Sequence, residues 1–371
     1  MHKTHLIRSR VYLLLAVLGL ATAWYFNAIA SFEGQDYLRA WFGSAVDWVL
    51  SLDLMIVAGA ATGFMIIESR RLKMKRVWLY FLLSGVTALA FTFPLFMAMR
   101  ELKLCKEFLA GGELDEYEFD EHRVQVWTPQ TWHPQTPVLV MHDGKNVFNA
   151  ESSTLGKSWE VLSAIKNDLR AEPPIVVAVW GKSDPTRIVE LAPESFLVNH
   201  PEAWNAFDPQ YSAIFHPDRT PQGDAYISLI ADAILPFIEE NYAIKLDPSR
   251  VAIMGSSMGG LASFNALAER PKTFGTAIGF STHWTFGKSE MVKHLADKLP
   301  NAGSHRIWTD TGTEGLDADY LPQQLEFAEQ LGAKGYLEKA DFVAAVYPAT
   351  GHSEYFWARR VADALNWWLK A

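Results

Sequence analysis

The stretch of this sequence that is most suggestive of chemistry is AIMGSSMGGLASF, residues 252–264. It contains a Gly-x-Ser-x-Gly pattern, with Gly255 and Gly259 two residues on either side of Ser257. A serine nucleophile on a sharp strand-to-helix turn needs small neighbours at these positions, because its backbone is strained and crowded. Ser256 is the alternative nucleophile, but it lacks this glycine spacing. The pattern predicts that Ser257 attacks an acyl carbonyl.

A serine hydroxyl is a poor nucleophile until a base takes its proton, and histidine is the usual base. His352 lies in GHSEYFWARR, after the last predicted strand and before the terminal helix. Hydrolases with a strand–turn–helix nucleophile carry the histidine at this place in the chain. His283 follows an earlier predicted strand and is the weaker candidate. His352 is therefore the predicted base.

The third partner is a carboxylate that orients the histidine ring, and it should follow the strand RIWTDTG, residues 306–312. Asp310 lies so near the end of this strand that its predicted role is to brace the following loop. Glu314 and Asp317 both lie in the loop before the next helix, and their spacing does not separate them. Asp317 is preferred, and Glu314 is kept as the alternative.

The oxyanion of an acyl-transfer intermediate needs backbone N–H donors. The first predicted donor is the N–H of Met258, directly after the nucleophile. The second comes from MHDGKNVF, residues 141–148, where Gly144 permits a tight turn that aims the Lys145 N–H at the substrate. Asp143 is expected to brace this turn by accepting backbone hydrogen bonds.

The elements that must position these residues alternate between strands and helices from about residue 112. Several predicted strands are continuous Val/Ile/Ala runs, which is typical of strands buried on both faces. The strands are predicted at 124–127, 137–143, 174–180, 250–255, 276–280, 306–312 and 341–348, and the helices at 158–170, 225–242, 258–269, 289–299, 319–333 and 353–370. This order predicts an α/β protein with a mainly parallel sheet, helices on both faces and a site at the carboxyl ends of the strands. Residues 181–224 fit neither pattern and are predicted to form a loop excursion over that edge.

Four motifs of this region resemble the putative-esterase branch of the α/β-hydrolases: VLVMHDGKNVF, RVAIMGSSMGGLASFNALAERP, DTGTEGLDADY and GHSEYFWARR. The branch includes ferric-enterobactin esterases, S-formylglutathione hydrolases, feruloyl esterases and secreted mycolyltransferases. The resemblance covers about residues 114–371 and implies the α/β-hydrolase fold, with Ser257 as nucleophile and His352 as base. It also implies an oxyanion site made by the turn of residues 143–145 and by Met258. The resemblance does not identify the triad acid, because members of the branch place that carboxylate at different distances after the Gly-Thr pair. It does not identify the substrate either, because the branch includes both hydrolases and acyltransferases.

The first 105 residues differ in composition from the rest. Residues 11–30 and 77–99 carry no charge, and the apolar run 48–67 is interrupted by one aspartate. Each run is long enough to cross a hydrocarbon core of about 30 Å as a helix. An all-α transmembrane domain of about three spans is therefore predicted over residues 1–105, with a linker over 106–113. The motifs ESRRLKMKRVWLYF and FPLFMAMRE resemble a small bacterial membrane domain of unknown function.

Basic residues in short loops set the orientation of membrane helices. The N-terminal tail and the loop after the second span are basic, whereas the first connecting loop carries Arg39 against three acidic residues. With three spans, this asymmetry predicts a catalytic domain outside the cytoplasmic membrane, on the periplasmic side. A cleaved signal peptide over residues 1–23 is the alternative, and it leads to the same side.

The chain has 42 acidic and 33 basic residues, a net charge of −9 that argues against a nucleic-acid partner. Its one cysteine, Cys105, cannot form an internal disulfide, and neither HExxH nor paired Cys/His spacing predicts a metal site. We therefore expect a membrane-anchored serine esterase for a small-molecule, lipid or sugar ester, with membrane lipid around its spans and no cofactor. The alternatives are an acyltransferase that uses the same triad, with a sugar or lipid hydroxyl replacing water, and an inactive binding or scaffold protein on the same fold. The sequence does not indicate which protein partners the chain has.

Overall fold

The structure is a computed structural model that describes residues 2–182, 186–206 and 221–370. The chain divides into two units, residues 1–111 and 112–371. The described part of the first unit consists of helices and their short connections, whereas the second unit is built around one sheet.

Long apolar helices dominate the first unit. In chain order its helices are α1 (His2–Phe32), α2 (Tyr37–Phe42), α3 (Ala45–Arg71), α4 (Trp78–Val86) and α5 (Leu89–Phe108). Two helical segments, Lys3–Phe32 and Ala45–Arg71, are long and apolar enough to cross a membrane. They contain the first two predicted spans.

The third predicted span, residues 77–99, does not form one helix. Helix α4 ends at Val86, and α5 begins at Leu89. Ser84 Oγ lies 2.5 Å from Thr92 Oγ1, although eight residues of a continuous helix would separate these positions by about 12 Å. The segment therefore turns back on itself, and α4 and α5 form an antiparallel helical hairpin.

The second unit contains one eight-stranded sheet. Its strands are β1 (Glu113–Phe119), β2 (His122–Thr128), β3 (Val138–Met141), β4 (Ile175–Val179), β5 (Val251–Ser256), β6 (Thr276–Phe280), β7 (Arg306–Gly312) and β8 (Phe342–Tyr347). The spatial order is β1-β2-β4-β3-β5-β6-β7-β8. The β1–β2 and β2–β4 pairs are antiparallel, and the other five pairs are parallel. Together with its helices, this sheet confirms the predicted α/β-hydrolase fold. Strand β1 was not predicted, because it is an edge strand rich in Asp and Glu whose side chains are mostly exposed.

Helices connect the parallel strands. They are α6 (Val161–Asn167), α7 (Thr186–Leu191), α8 (Glu194–Asn199), α9 (Gly223–Ser228), α10 (Leu235–Asn241), α11 (Met258–Glu269), α12 (Lys288–Lys298) and α13 (Leu316–Ala333), and two more, α14 (Glu354–Trp357) and α15 (Val361–Trp368), follow β8. A π-helical segment, Leu229–Ile234, joins α9 to α10. The predicted loop excursion 181–224 contains α7 and α8. Its residues 183–185 and 207–220 lie outside the described part of the chain.

The central strands are buried along their whole length, as the continuous apolar runs predict. All residues of β3, β4, β5 and β6 are buried. Because the parallel strands share one direction, the segments that follow them meet at one edge of the sheet. These segments carry Asp143 after β3, Ser257 after β5, Ser281 after β6, Asp317 after β7 and His352 after β8.

Candidate active site

Ser257 occupies a sharp turn between β5 and α11. Its φ of 55° and ψ of −122° lie in a region that side chains rarely adopt. The turn is held because the Ser257 N–H donates to the Phe280 carbonyl at 2.9 Å. A Cβ added at Gly255 would lie 2.5 Å from the carbonyl group of Gly259, so only glycine fits there. Ser256, the alternative nucleophile, is buried as the last residue of β5.

His352 and Asp317 are in direct contact. Nδ1 of His352 lies 2.8 Å from Oδ1 of Asp317. The second carboxylate oxygen, Oδ2, accepts hydrogen bonds from Ser281 Oγ at 2.6 Å and from the Gly312 N–H at 2.8 Å. Burial alone would raise the pKa of Asp317, but the hydrogen bonds from His352 and Ser281 outweigh it and hold the pKa below its usual value. The carboxylate therefore stays ionised beside the imidazole ring.

The other two carboxylates of this loop are placed differently. The Glu314 side chain is exposed, and its backbone N–H donates to the Thr350 carbonyl. Asp310 is fully buried and accepts hydrogen bonds from Arg360 Nη1 at 2.8 Å and from Trp308 Nε1 at 3.1 Å. Asp310 thus ties the end of β7 to the terminal helical segment.

The turn after β3 contains the other predicted oxyanion residues. Asp143 has a φ of 53° and is followed by a 3-10 turn, Gly144–Asn146. A Cβ at Gly144 would lie 2.4 Å from the Trp180 ring, so glycine is required. Asp143 does not brace the turn as expected. Its carboxylate instead accepts two hydrogen bonds from Arg187 on α7, at 2.5 and 2.6 Å. Burial would raise the pKa of Asp143, but the Arg187 charge outweighs burial and keeps it low.

Two backbone N–H groups remain available at this edge of the sheet. A Cβ added at Gly259 would lie 3.4 Å from both His142 Cβ and Asp143 Oδ2, so the two turns pack against each other. Among the described residues, no group accepts a hydrogen bond from the N–H of Met258 or of Lys145. This pair is the kind of donor set that an oxyanion requires.

Comparison with known families identifies both units. Residues 191–368, most of the second unit, match the family described as "Putative esterase". That unit belongs to the putative-esterase branch of the α/β-hydrolases. Residues 11–102 match the family described as "Protein of unknown function DUF2834".

Individual proteins resemble the second unit at low identity. The uncharacterized protein YbbA of Bacillus subtilis (strain 168) is 26% identical over 151 residues, which are 39% of this chain and 59% of that protein. The enterobactin esterase FES of Shigella flexneri, solved in the presence of enterobactin, is 17% identical with a TM-score of 0.48, covering 70% of this chain and 58% of that chain. The siderophore hydrolase EstA of Aspergillus nidulans is 16% identical with a TM-score of 0.49, covering 68% and 92%.

Several polar side chains around the candidate active site were not predicted from the sequence. Ser281 Oγ accepts a hydrogen bond from Trp357 Nε1 at 2.9 Å while it donates to Asp317. Arg360, only 2% exposed, holds Asp310 from the terminal segment. The arginines of the mostly apolar stretch WARRVADALNWW were a signal for this buried pair.

The weaker candidate base, His283, has other partners. Its Nδ1 lies 2.5 Å from the hydroxyl of Tyr320, and its Nε2 lies 3.3 Å from Thr285 Oγ1. Burial and the nearby His352 lower the pKa of His283 to about 3, so its ring stays neutral. These two contacts of the ring are with hydroxyl groups, whereas His352 contacts the carboxylate of Asp317.

Proposed function

We propose that the second unit is a serine esterase in which Ser257 is the nucleophile, His352 the general base and Asp317 the carboxylate that orients His352. The observation that carries the proposal is the 2.8 Å contact between His352 Nδ1 and Asp317 Oδ1, made at the edge of the sheet where the strained Ser257 turn lies. A hydrogen bond to Nδ1 leaves Nε2 free to take the serine proton. The match to the esterase family supports this assignment.

In the first half of the reaction, Ser257 Oγ attacks the ester carbonyl while its proton passes to His352. The negative charge that develops on the carbonyl oxygen is stabilised by the N–H groups of Met258 and Lys145. The imidazolium then gives its proton to the leaving alcohol, and an acyl-enzyme remains on Ser257. Water repeats the sequence and releases the acid. Asp317 keeps its negative charge throughout and stabilises the imidazolium.

We further infer that the helices α1 and α3 anchor the esterase in a membrane. Both are long and apolar enough to cross a bilayer, and many of their large apolar side chains are exposed. Exposed apolar side chains on this scale are typical of surfaces that contact lipid rather than water. The full chain is expected to remain in the membrane pellet after alkaline carbonate washing and to be released by detergent.

The test of the nucleophile uses the detergent-solubilised full chain, a fluorophosphonate probe and a small p-nitrophenyl ester. Wild type is expected to be labelled and active, whereas Ser257→Ala should lose labelling and roughly 10⁶-fold in kcat. Ser256→Ala is the matched control, since it removes a neighbouring hydroxyl and should keep both signals. Labelling that persists in a folded Ser257→Ala variant but disappears in Ser256→Ala would overturn the assignment.

A further inference from the structure

Tyr320 is a buried residue next to the proposed triad that this mechanism does not use. It lies on α13, one turn after Asp317, so both side chains point to the same face of the helix. Its side chain is 0% exposed, and its hydroxyl lies 2.5 Å from Nδ1 of His283. The backbone N–H of His283 in turn donates to the Ser257 carbonyl at 3.2 Å. The Tyr320 hydroxyl is thus fixed to the turn that carries the nucleophile.

The Tyr320 side chain contacts both reacting residues. Its ring packs edge-on against His352, with the ring centroids 5.6 Å apart. Burial and the Asp317 charge raise the pKa of Tyr320, and hydrogen-bonding interaction with the side chains of Ser257 and Thr285 opposes that rise. The hydroxyl therefore stays protonated beside the Ser257 side chain, while the Tyr320 ring packs against His352. The leaving group must depart on the side of His352, because His352 is the group that protonates it.

We propose that Tyr320 is a further catalytic residue, which donates a hydrogen bond to the leaving-group oxygen, and that His283 is the residue that positions it. This inference rests on the esterase function proposed above. We assign the proton of neutral His283 to Nδ1, so that the Nδ1–H donates a hydrogen bond to the Tyr320 oxygen and Nε2 accepts one from the Thr285 hydroxyl. The Tyr320 O–H is then free to point at Ser257 or at the leaving oxygen.

The acylation step needs no reactant beyond the ester and the residues already named. The bond between Ser257 Oγ and the acyl carbon forms, the bond from that carbon to the leaving oxygen breaks, and the serine proton reaches the leaving oxygen through His352. Tyr320 keeps its own proton and only stabilises the charge that builds on the leaving oxygen. Its effect must therefore grow as the leaving group becomes poorer.

The experiment compares two esters of the same acid, a p-nitrophenyl ester and an ethyl ester, on the detergent-solubilised full chain. Tyr320→Phe should lower kcat/KM for the ethyl ester on the order of 10²-fold, the cost of one transition-state hydrogen bond. It should lower kcat/KM for the p-nitrophenyl ester less than about threefold, because p-nitrophenolate leaves without help. Tyr336→Phe is the control, because Tyr336 is also buried but its hydroxyl donates to the Pro300 carbonyl. Its loss should change kcat/KM by the same factor for both esters.

A second variant covers the case in which Tyr320→Phe does not fold. His283→Phe keeps a ring but removes the donor to Tyr320. It should also lower kcat/KM for the ethyl ester more than for the p-nitrophenyl ester, by a smaller factor than Tyr320→Phe does. Equal losses on both esters in the folded variants would overturn the role of Tyr320 while leaving the esterase intact. If wild type is neither labelled by fluorophosphonate nor active on either ester, the proposed function itself has failed.

A second, independent inference comes from the charged residues of the first unit. Arg100 on α5 contacts Glu68 on α3 at 2.6 Å and its neighbour Glu101 at 2.5 Å. Glu101 also lies 2.7 Å from His5 Nδ1 on α1. The start of α1, the end of α3 and residues 100–101 of α5 therefore lie at the same end of the bundle.

The hairpin of α4 and α5 enters the bundle from this same end. The rings of Tyr80 and Phe96 pack with centroids 5.5 Å apart, as antiparallel helices require. Near the tip of the hairpin, a Cβ at Gly19 would lie 2.1 Å from the Ala90 carbonyl oxygen. Since Gly19 is near the middle of α1, the hairpin reaches about halfway along α1 and then returns. A segment of this kind inside a membrane is tolerated where protein covers it.

We infer that the chain crosses the membrane twice, through α1 and α3, and that the esterase is cytoplasmic. With two crossings, the residues after α5 emerge on the side of the N-terminal tail and of the loop after α3. That side carries the basic residues Lys3, Arg8, Arg10, Arg70, Arg71, Lys73, Lys75 and Arg76, which marks it as cytoplasmic. Arg100, Lys103 and Lys106 oppose the three-span orientation but agree with this one. The orientation is opposite to the one that three spans predict.

Cysteine labelling in intact cells decides between the two topologies. In a Cys105→Ala chain, single cysteines replace exposed residues: Gln35 in the first connecting loop, Lys75 in the basic loop and Glu118 on β1. With a membrane-impermeant maleimide, Gln35→Cys should react in intact cells, and Lys75→Cys should react only after permeabilisation. Glu118→Cys is expected to behave like Lys75→Cys. Reaction of Glu118→Cys in intact cells, together with Gln35→Cys, would overturn the inference and restore the three-span orientation.

Discussion

Two regions near the end of β7 each bury a carboxylate, and the comparison between them shows what separates a structural acid from one suited to chemistry. Asp310 and Asp317 are both 0% exposed, and Ser281 contacts both. Asp310 faces Arg360, whose charge is permanent, whereas Asp317 faces His352, whose charge changes when the ring takes up a proton.

The pKa values of the two carboxylates move in opposite directions. Burial raises the pKa of Asp310 to about 6, although Arg360 lowers it in part. Hydrogen bonds from His352, Ser281 and the Gly312 N–H hold the pKa of Asp317 below its usual value, although burial opposes them. The set of hydrogen bonds, and not only the formal charge of the partner, therefore decides which carboxylate has the lower pKa. An ionised carboxylate with a titratable partner is the arrangement that a general base needs.

Among substitutions of the two carboxylates and their partners, Asp317→Asn is expected to lower activity the most. The amide keeps the shape of the side chain, but it cannot stabilise the imidazolium and favours the wrong His352 tautomer. In a well-studied serine protease the same change costs about 10⁴-fold in kcat. Steady-state kinetics on one small ester, with melting curves to confirm folding, checks this. A near-normal kcat would mean that Asp317, like Asp310, has a structural role and does not stabilise the His352 imidazolium.

Arg360→Met tests the structural side of the comparison. It leaves Asp310 buried without its cation, and breaking a buried pair in this way costs about 3–5 kcal/mol of stability. Denaturant unfolding of the solubilised protein at pH 7.5 measures the cost. Arg359→Met is the matched control, because Arg359 is exposed and stacks on Tyr355, and its loss should be nearly neutral. Equal stability of the two variants would mean that the ion pair of Asp310 with Arg360 does not stabilise the fold.

The positions of Ser257 and His352 could be predicted from sequence because each depends on a local motif next to a buried strand. The choice between Glu314 and Asp317 could not, because it depends on where α13 begins and on a contact with Ser281, 36 residues earlier. Arg187 and Tyr320 were missed for the same reason, since their partners lie on distant segments.

The membrane unit shows a different limit of sequence reasoning. Hydropathy predicts one span over residues 77–99, because the break at Thr87 and Ala88 carries neither charge nor glycine. The only proline of this segment, Pro94, lies inside α5 and not at the break. Composition therefore gives the apolar character of the hairpin but not its reversal of direction.

The stability deficit of Arg360→Met is also expected to depend on pH. Removing Arg360 should raise the folded pKa of Asp310 further above its value of about 6 in wild type. An acid with a raised folded pKa stabilises the fold at low pH and loses that contribution as pH rises through the folded pKa. The stability deficit of Arg360→Met should thus be constant below about pH 6 and grow by up to about 1.4 kcal/mol per pH unit above it. Unfolding of both proteins between pH 5 and 8 checks the slope, and a deficit that shrinks as pH rises would contradict it.

The smallest expected effect belongs to Glu314→Gln. The Glu314 side chain is exposed, and its link to the site is the backbone hydrogen bond from its N–H to Thr350, which the substitution keeps. Substitutions at such surface positions usually change free energies by no more than about 0.5 kcal/mol, so kcat should stay within about a factor of two of wild type. The same ester and the same pH as for Asp317→Asn make the two results comparable. A loss near that of Asp317→Asn would mean that Glu314 reaches His352 during turnover. In that case the buried carboxylate would be the structural one in both regions, and the contrast between Asp310 and Asp317 would no longer identify the acid.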